Sequence, residues 1–189
     1  MFLSTVAINP REVELQKLLT DLRIQDWIEE DIFKFKWWFL LLFFCLSGFV
    51  WWKMVDKARL SEISLYMAIT SIVTLGLDEY GEELTLWWYT IDILPIFPPL
   101  TAVDLASLPI IYSLVYQRYR SWTSFLWATV IMSAIFAFVL EPILVYTKFY
   151  VLLKWKYYYS FPIYIVMAVL IKWVVEKIKF KEAPQRSQG

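Results

Sequence analysis

Leucines at helical spacing with acids between them open this chain, and five long apolar runs follow. In the opening segment, residues 9–33, Leu15, Leu18, Leu19 and Leu22 recur at the i, i+3, i+4, i+7 interval, continued by Ile24, Trp27 and Ile28. Asn9 suits an N-cap, Pro10 the first helical position, and Glu12 falls where a capping-box acid belongs. The pattern predicts an amphipathic helix with an acidic outer face: seven Asp/Glu stand against Arg11, Lys17 and Arg23. Helices that lie on anionic lipid are basic. Residues 1–34 are therefore expected outside the bilayer, docked on the protein's own helices or on a partner protein.

The apolar runs predict transmembrane helices near 35–52, 61–77, 100–117, 121–145 and 159–178. The first is bracketed by Trp37-Trp38 and Trp51-Trp52, as residues at the two lipid–water interfaces are. Pro109 falls inside the third run, where it predicts a kink. Between the second and third runs, residues 84–99 are apolar but contain Asp92, Pro95, Pro98 and Pro99. Backbone that cannot satisfy its own hydrogen bonds is excluded from lipid, so this piece is expected as an interfacial or re-entrant loop. Residues 182–189 are polar and expected to be disordered. The reading is an all-α, polytopic membrane bundle of about five spans.

Composition strengthens that class and removes several chemistries. Of the 189 residues, 60% are apolar and 20% aromatic, far from soluble usage. The formal net charge is zero, so no basic field exists for nucleic acid. The chain contains no His, and its single cysteine, Cys45, lies inside an apolar run. The commonest general base and transition-metal ligand is thus missing. No phosphate-binding loop, dinucleotide fingerprint, zinc-protease motif or nucleophile elbow occurs. No catalytic residue, metal site or cofactor is assigned. With no Gly-x-x-x-Gly motif, helix contacts are expected to use small residues such as Ser133 and Ala137.

Charge distribution then gives sidedness. Between Arg59 and Arg118 lie fifty-eight residues with no Lys or Arg but seven acids: Glu62, Asp78, Glu79, Glu82, Glu83, Asp92 and Asp104. Five spans with the N-terminus outside place ten Lys/Arg in the cytoplasm and eight outside, which favours an external N-terminus and a cytoplasmic C-terminus. Either orientation puts residues 78–100, 142–158 and the N-terminal helix on one side.

That side gathers Asp78 and Glu79 at the exit of the second run, Asp104 one turn inside the third, and Glu141 near the exit of the fourth. Asp104 and Glu141 have apolar residues on both sides and predict buried, paired acids. Glu82, Glu83 and Asp92 are expected to be solvated. Glu141 precedes Pro142, which cannot donate a backbone hydrogen bond, and a broken helix end beside a carboxylate is one way to build a membrane ion site. Tyr80, Tyr112, Tyr157 and Lys156 are the candidate partners. Such acids can bind a cation, carry a proton, meet a small amphiphile, or pair and fix the helices.

Read in order, Leu77-Asp78-Glu79-Tyr80-Gly81, Leu86-Trp87, Tyr89, Asp104, Pro109, Tyr112, Glu141-Pro142, Trp155-Lys156-Tyr157 and Tyr159-Ser160-Phe161-Pro162-Ile163-Tyr164 form a pattern. It resembles an uncharacterised family of small multipass membrane proteins from spore-forming Gram-positive bacteria, over roughly residues 60–178. That family has no established activity. The resemblance implies membrane architecture and one common core for Asp78, Glu79, Asp104 and Glu141. The functional expectation is a membrane scaffold or binding protein with an acidic pocket at one bundle end. Passage of a cation, proton or small solute through an oligomer comes second, and a lipid- or isoprenoid-modifying enzyme third.

Overall fold

The computed structural model describes residues 10–95 and 107–182. Asp104, the proposed N-cap Asn9, residues 96–99 of the expected loop and the tail beyond 182 lie outside these. The described chain is helical apart from one short ribbon. Helix α1 (Pro10–Asp26) runs into a π turn, Trp27–Asp31, and α2 spans Phe35–Met54. A short 3-10 turn, Lys57–Arg59, leads into α3 (Leu60–Glu83), then strand β1 (Trp87–Tyr89) and α4 (Leu108–Arg118). Next come α5 (Trp122–Ile135), a second π turn (Phe136–Leu140), α6 (Glu141–Tyr146), strand β2 (Tyr150–Leu152) and α7 (Tyr157–Glu182).

Among the described residues, three helices are long and apolar enough to cross a membrane: Phe35–Met54, Lys57–Glu83 and Trp122–Tyr146. Two begin at identifiable caps. The Asp56 side chain accepts the Ala58 N–H at 3.0 Å, and Ser121 Oγ accepts the Ser124 N–H at 3.2 Å, each satisfying a donor the helix cannot. Pro109 lies near the start of α4, and the residues before Ser107, on which a kink there would depend, lie outside the described ones.

The core lies where α3, α4, α5 and α7 meet. Tyr66 stacks on Tyr116 at 4.3 Å between ring centroids, and Tyr112 stacks on Phe136 at 6.1 Å. Phe125, Met132, Met167, Ile171 and Val175 complete the cluster. Ser133 and Ala137 are fully buried, as their small side chains predict. Helix α2 is peripheral. It buries Leu40 and Trp51, and the Trp51 indole N–H ties it to Ser113 Oγ on α4 at 3.0 Å. Its remaining aromatic and aliphatic surface is exposed, as a lipid-facing helix requires.

The described chain is helical as expected, and three details depart from the expected outline. First, a short ribbon is added: β1 and β2 pair antiparallel, with Trp87 opposite Leu152 and Tyr89 opposite Tyr150. Three residues of the expected interfacial loop, Trp87–Tyr89, are thus ribbon, whose strands satisfy each other's backbone groups. Second, α3 continues six residues beyond the expected 77, because acids lower hydropathy without disfavouring helix. Third, α1 forms as predicted but buries no residue, and Leu15, Leu18 and Leu22 are exposed. Docking falls to the π turn after it. The Trp27 indole N–H donates to the Asp92 carbonyl at 3.1 Å, and Asp31 accepts the Asp92 backbone N–H at 3.3 Å.

Candidate functional site

The ribbon closes one end of the bundle. Its base is the Leu86 carbonyl, which accepts the N–H groups of Leu153, Lys154 and Trp155 at 2.9–3.1 Å. Its fit depends on Gly81 in α3: a Cβ there would lie 2.0 Å from the Trp87 ring, so only a bare backbone lets the indole seat. Thr85, before β1, and Lys148, before β2, have φ of 53° and 57°, a left-handed backbone that costs a non-glycine residue about 1 kcal/mol.

Beneath the ribbon is a cavity of about 550 Å³. Its walls come from α2 (Phe39, Leu40, Phe43), α3 (Thr74, Leu77, Asp78), α6 (Ile143, Leu144) and α7 (Ile163, Met167). Phe39, Phe43, Leu140 and Ile143 also carry exposed surface, so the α2 and α6 walls separate the cavity from what surrounds the bundle by single side chains.

Two carboxylates face this space. Asp78, on the penultimate turn of α3, accepts the Tyr89 hydroxyl at 2.8 Å. Glu141, buried at the start of α6, accepts the Tyr164 hydroxyl at 2.9 Å. The placement of Glu141 follows from Pro142. An ordinary helix would need a Pro142 N–H for the Phe138 carbonyl. The π turn widens the helix instead, and the Glu141 N–H reaches back to Phe136.

The expected site residues separate on this geometry. Asp78 and Glu141 border one cavity, and Tyr80 borders it from an exposed position. Glu79 is half-buried on the adjoining surface of α3 and does not line it. Tyr112 is buried in the core below, where its hydroxyl donates to the Tyr164 carbonyl at 3.4 Å rather than to an acid. Tyr157 and exposed Lys156 do not border the cavity. The hydroxyls that do meet the acids belong to Tyr89 and Tyr164, which stand in the sequence pattern but are not among the candidate partners. Tyr89 reaches Asp78 only because the chain reverses after Glu83, and Tyr164 faces Glu141 across two helices.

Two other acids lie apart from the cavity, and one of them departs from expectation. Asp92 is not solvated. Its Oδ1 is buried with no hydrogen-bond partner among the described residues. Burial first, then the nearby charges of Glu82 and Asp31, raise its pKa from 3.8 to about 7, while Arg23 opposes the shift. Glu62, inside the stretch without Lys or Arg, finds cations beyond it. It accepts from Arg59 at 2.7 and 3.2 Å, from the Tyr116 hydroxyl at 2.6 Å, and from Lys179 of α7. Nearby Lys172 is fully buried, with its ammonium over the Phe125 ring at 4.5 Å and donating to the Arg120 carbonyl at 2.9 Å.

Comparison with protein-family models, curated proteins and solved structures returns no match.

Proposed function

We propose that this chain is an integral membrane binding protein that admits an amphiphile into the cavity beneath the ribbon. One observation carries the reading: a mostly apolar space of about 550 Å³ ends in two carboxylates held by tyrosine hydroxyls. Pockets of roughly 300–1,000 Å³ with apolar walls and a few fixed polar groups are the usual form of a small-molecule site. The thin α2 and α6 walls fit entry from the bilayer. The aromatic core below the cavity favours binding over passage, since Tyr112 and Phe136 stack beneath it.

In this reading α7 and the segment ending in α4 add two spans to the three long apolar helices. The N-terminus lies outside, the C-terminus lies in the cytoplasm, and the cavity opens to the outer leaflet. Helix α1 presents exposed acids and leucines, which supports an accessory role toward a partner protein. Membership in the uncharacterised multipass family accords with this architecture.

The test uses the full chain in nanodiscs of zwitterionic lipid, titrated with sixteen-carbon probes and followed by native mass spectrometry. At least one of hexadecanol, palmitate and hexadecyltrimethylammonium saturates at one molecule per chain. Leu144→Trp, which fills the cavity, weakens that probe about tenfold. Absence of saturable binding by all three would overturn the reading.

A further inference from the structure

The polar end of the cavity is built for a particular charge. Its described lining contains two carboxylates, Asp78 and Glu141, and no Lys or Arg. Among the described lining residues a charged guest therefore meets acids and no cation, which favours a positive head over a negative one.

Aromatic faces surround the same end. Trp87 and Trp155 meet edge to face at 5.1 Å between centroids, Trp87 lies 6.4 Å from Tyr150, and Tyr89 lies 5.3 Å from Tyr150. All four rings line the cavity. The negative face of an aromatic ring attracts a cation, so a wall of rings beside two carboxyl groups suits an ammonium head.

The rings are also held in place. Gly81 seats Trp87, Tyr89 donates to Asp78, and the Trp155 indole N–H donates to Ser160 Oγ at 2.9 Å. A wall of rings already held in place loses little conformational freedom on binding. An anionic head would bring a second negative charge with no cation in the described lining, an arrangement that is costly in an apolar space.

We propose that the cavity selects amphiphiles with an ammonium head, which lies against the wall of Trp87, Tyr89, Tyr150 and Trp155 near Asp78 and Glu141 while the tail fills the apolar remainder. This rests on the amphiphile-binding reading above and adds the chemistry of the head. A quaternary or primary alkylamine is the expected class. A carboxylate-headed amphiphile of equal tail is rejected.

The same nanodisc titration separates the two ideas. Wild-type protein binds hexadecyltrimethylammonium at least tenfold more tightly than hexadecanol, and palmitate more weakly than either. In the double variant Asp78→Asn/Glu141→Gln, which keeps an acceptor for each tyrosine, the ratio of the two constants falls to about one. Circular dichroism and melting establish whether the variant is folded. Should it fail to fold, the wild-type order of the three heads decides alone. Hexadecanol or palmitate binding as tightly as the ammonium would overturn the inference and leave the amphiphile site standing. A folded double variant that kept the preference would also overturn it. No saturable binding by any probe removes both.

Discussion

Glu62 and Asp78 sit on the same helix, sixteen residues apart, so about 24 Å separates them along its axis. Both are carboxylates in an apolar span, and both accept a tyrosine hydroxyl. Their further surroundings differ. Glu62 is gripped by Arg59 and Lys179 from two other segments, and it locks α3 to α7. Asp78 borders an open space with Glu141 and a wall of rings. The contrast teaches that an acid in an apolar helix is best judged by what fills the room around it: cations make it a rivet, and a cavity leaves it facing space that a guest could enter.

The largest effect should come from the rivet. Glu62→Gln leaves Arg59 and Lys179 without their carboxylate; Glu62 is buried but Lys179 is half-exposed, so solvent screening reduces the cost to about 2 kcal/mol. Asp78→Asn keeps the Tyr89 contact and should cost about 1 kcal/mol. Melting in detergent checks both, and equal losses would erase the distinction. Next in size is Gly81→Ala. Its methyl must displace the Trp87 ring, an overpacking cost of about 1–3 kcal/mol, and probe binding should fall with it. Intact binding in a folded Gly81→Ala protein would separate the ribbon from the cavity.

A smaller effect concerns the docked π turn beside the ribbon. Asp92 has its pKa raised from 3.8 to about 7, so the docked state binds its proton more tightly than the undocked chain does. The stabilisation is full below about 4 and is lost as pH rises through about 7. Hydrogen exchange at residues 27–32, corrected for intrinsic rate, should speed up between pH 6 and pH 8. Asp92→Asn should flatten that response, and a response unchanged in the variant would refute the assignment to Asp92. The smallest effect is expected from deleting residues 10–26. Since α1 buries no residue, the melting temperature should not move, and a clear drop would show that its exposed leucines stabilise the bundle.

Hydrophobic runs made α2 legible almost to its ends, 35–52 against Phe35–Met54, because a lipid-facing helix writes its burial directly into composition. The same rule shortened α3, whose last turns carry acids and face protein or water instead. The ribbon was not legible. Its strands are three residues each and sixty residues apart in sequence, so neither shows a period. Asp78 and Glu141 emerged from depth and sidedness alone. Their tyrosines, and the cations of Glu62, belong to contacts across helices, which no local pattern encodes. Asp92 was misjudged because a loop acid is normally wet, and here the turn after α1 covers it.

The π turn before Glu141 places one extra residue in a helical revolution. An α-helix advances about 100° per residue, so winding the same five residues as regular α-helix would swing Glu141 round by most of one such step, away from the cavity, while leaving its identity intact. The acid's place is thus held by spacing as much as by chemistry. A chain with the same Glu-Pro pair but a regular helix before it would carry the letters of the site without its aim.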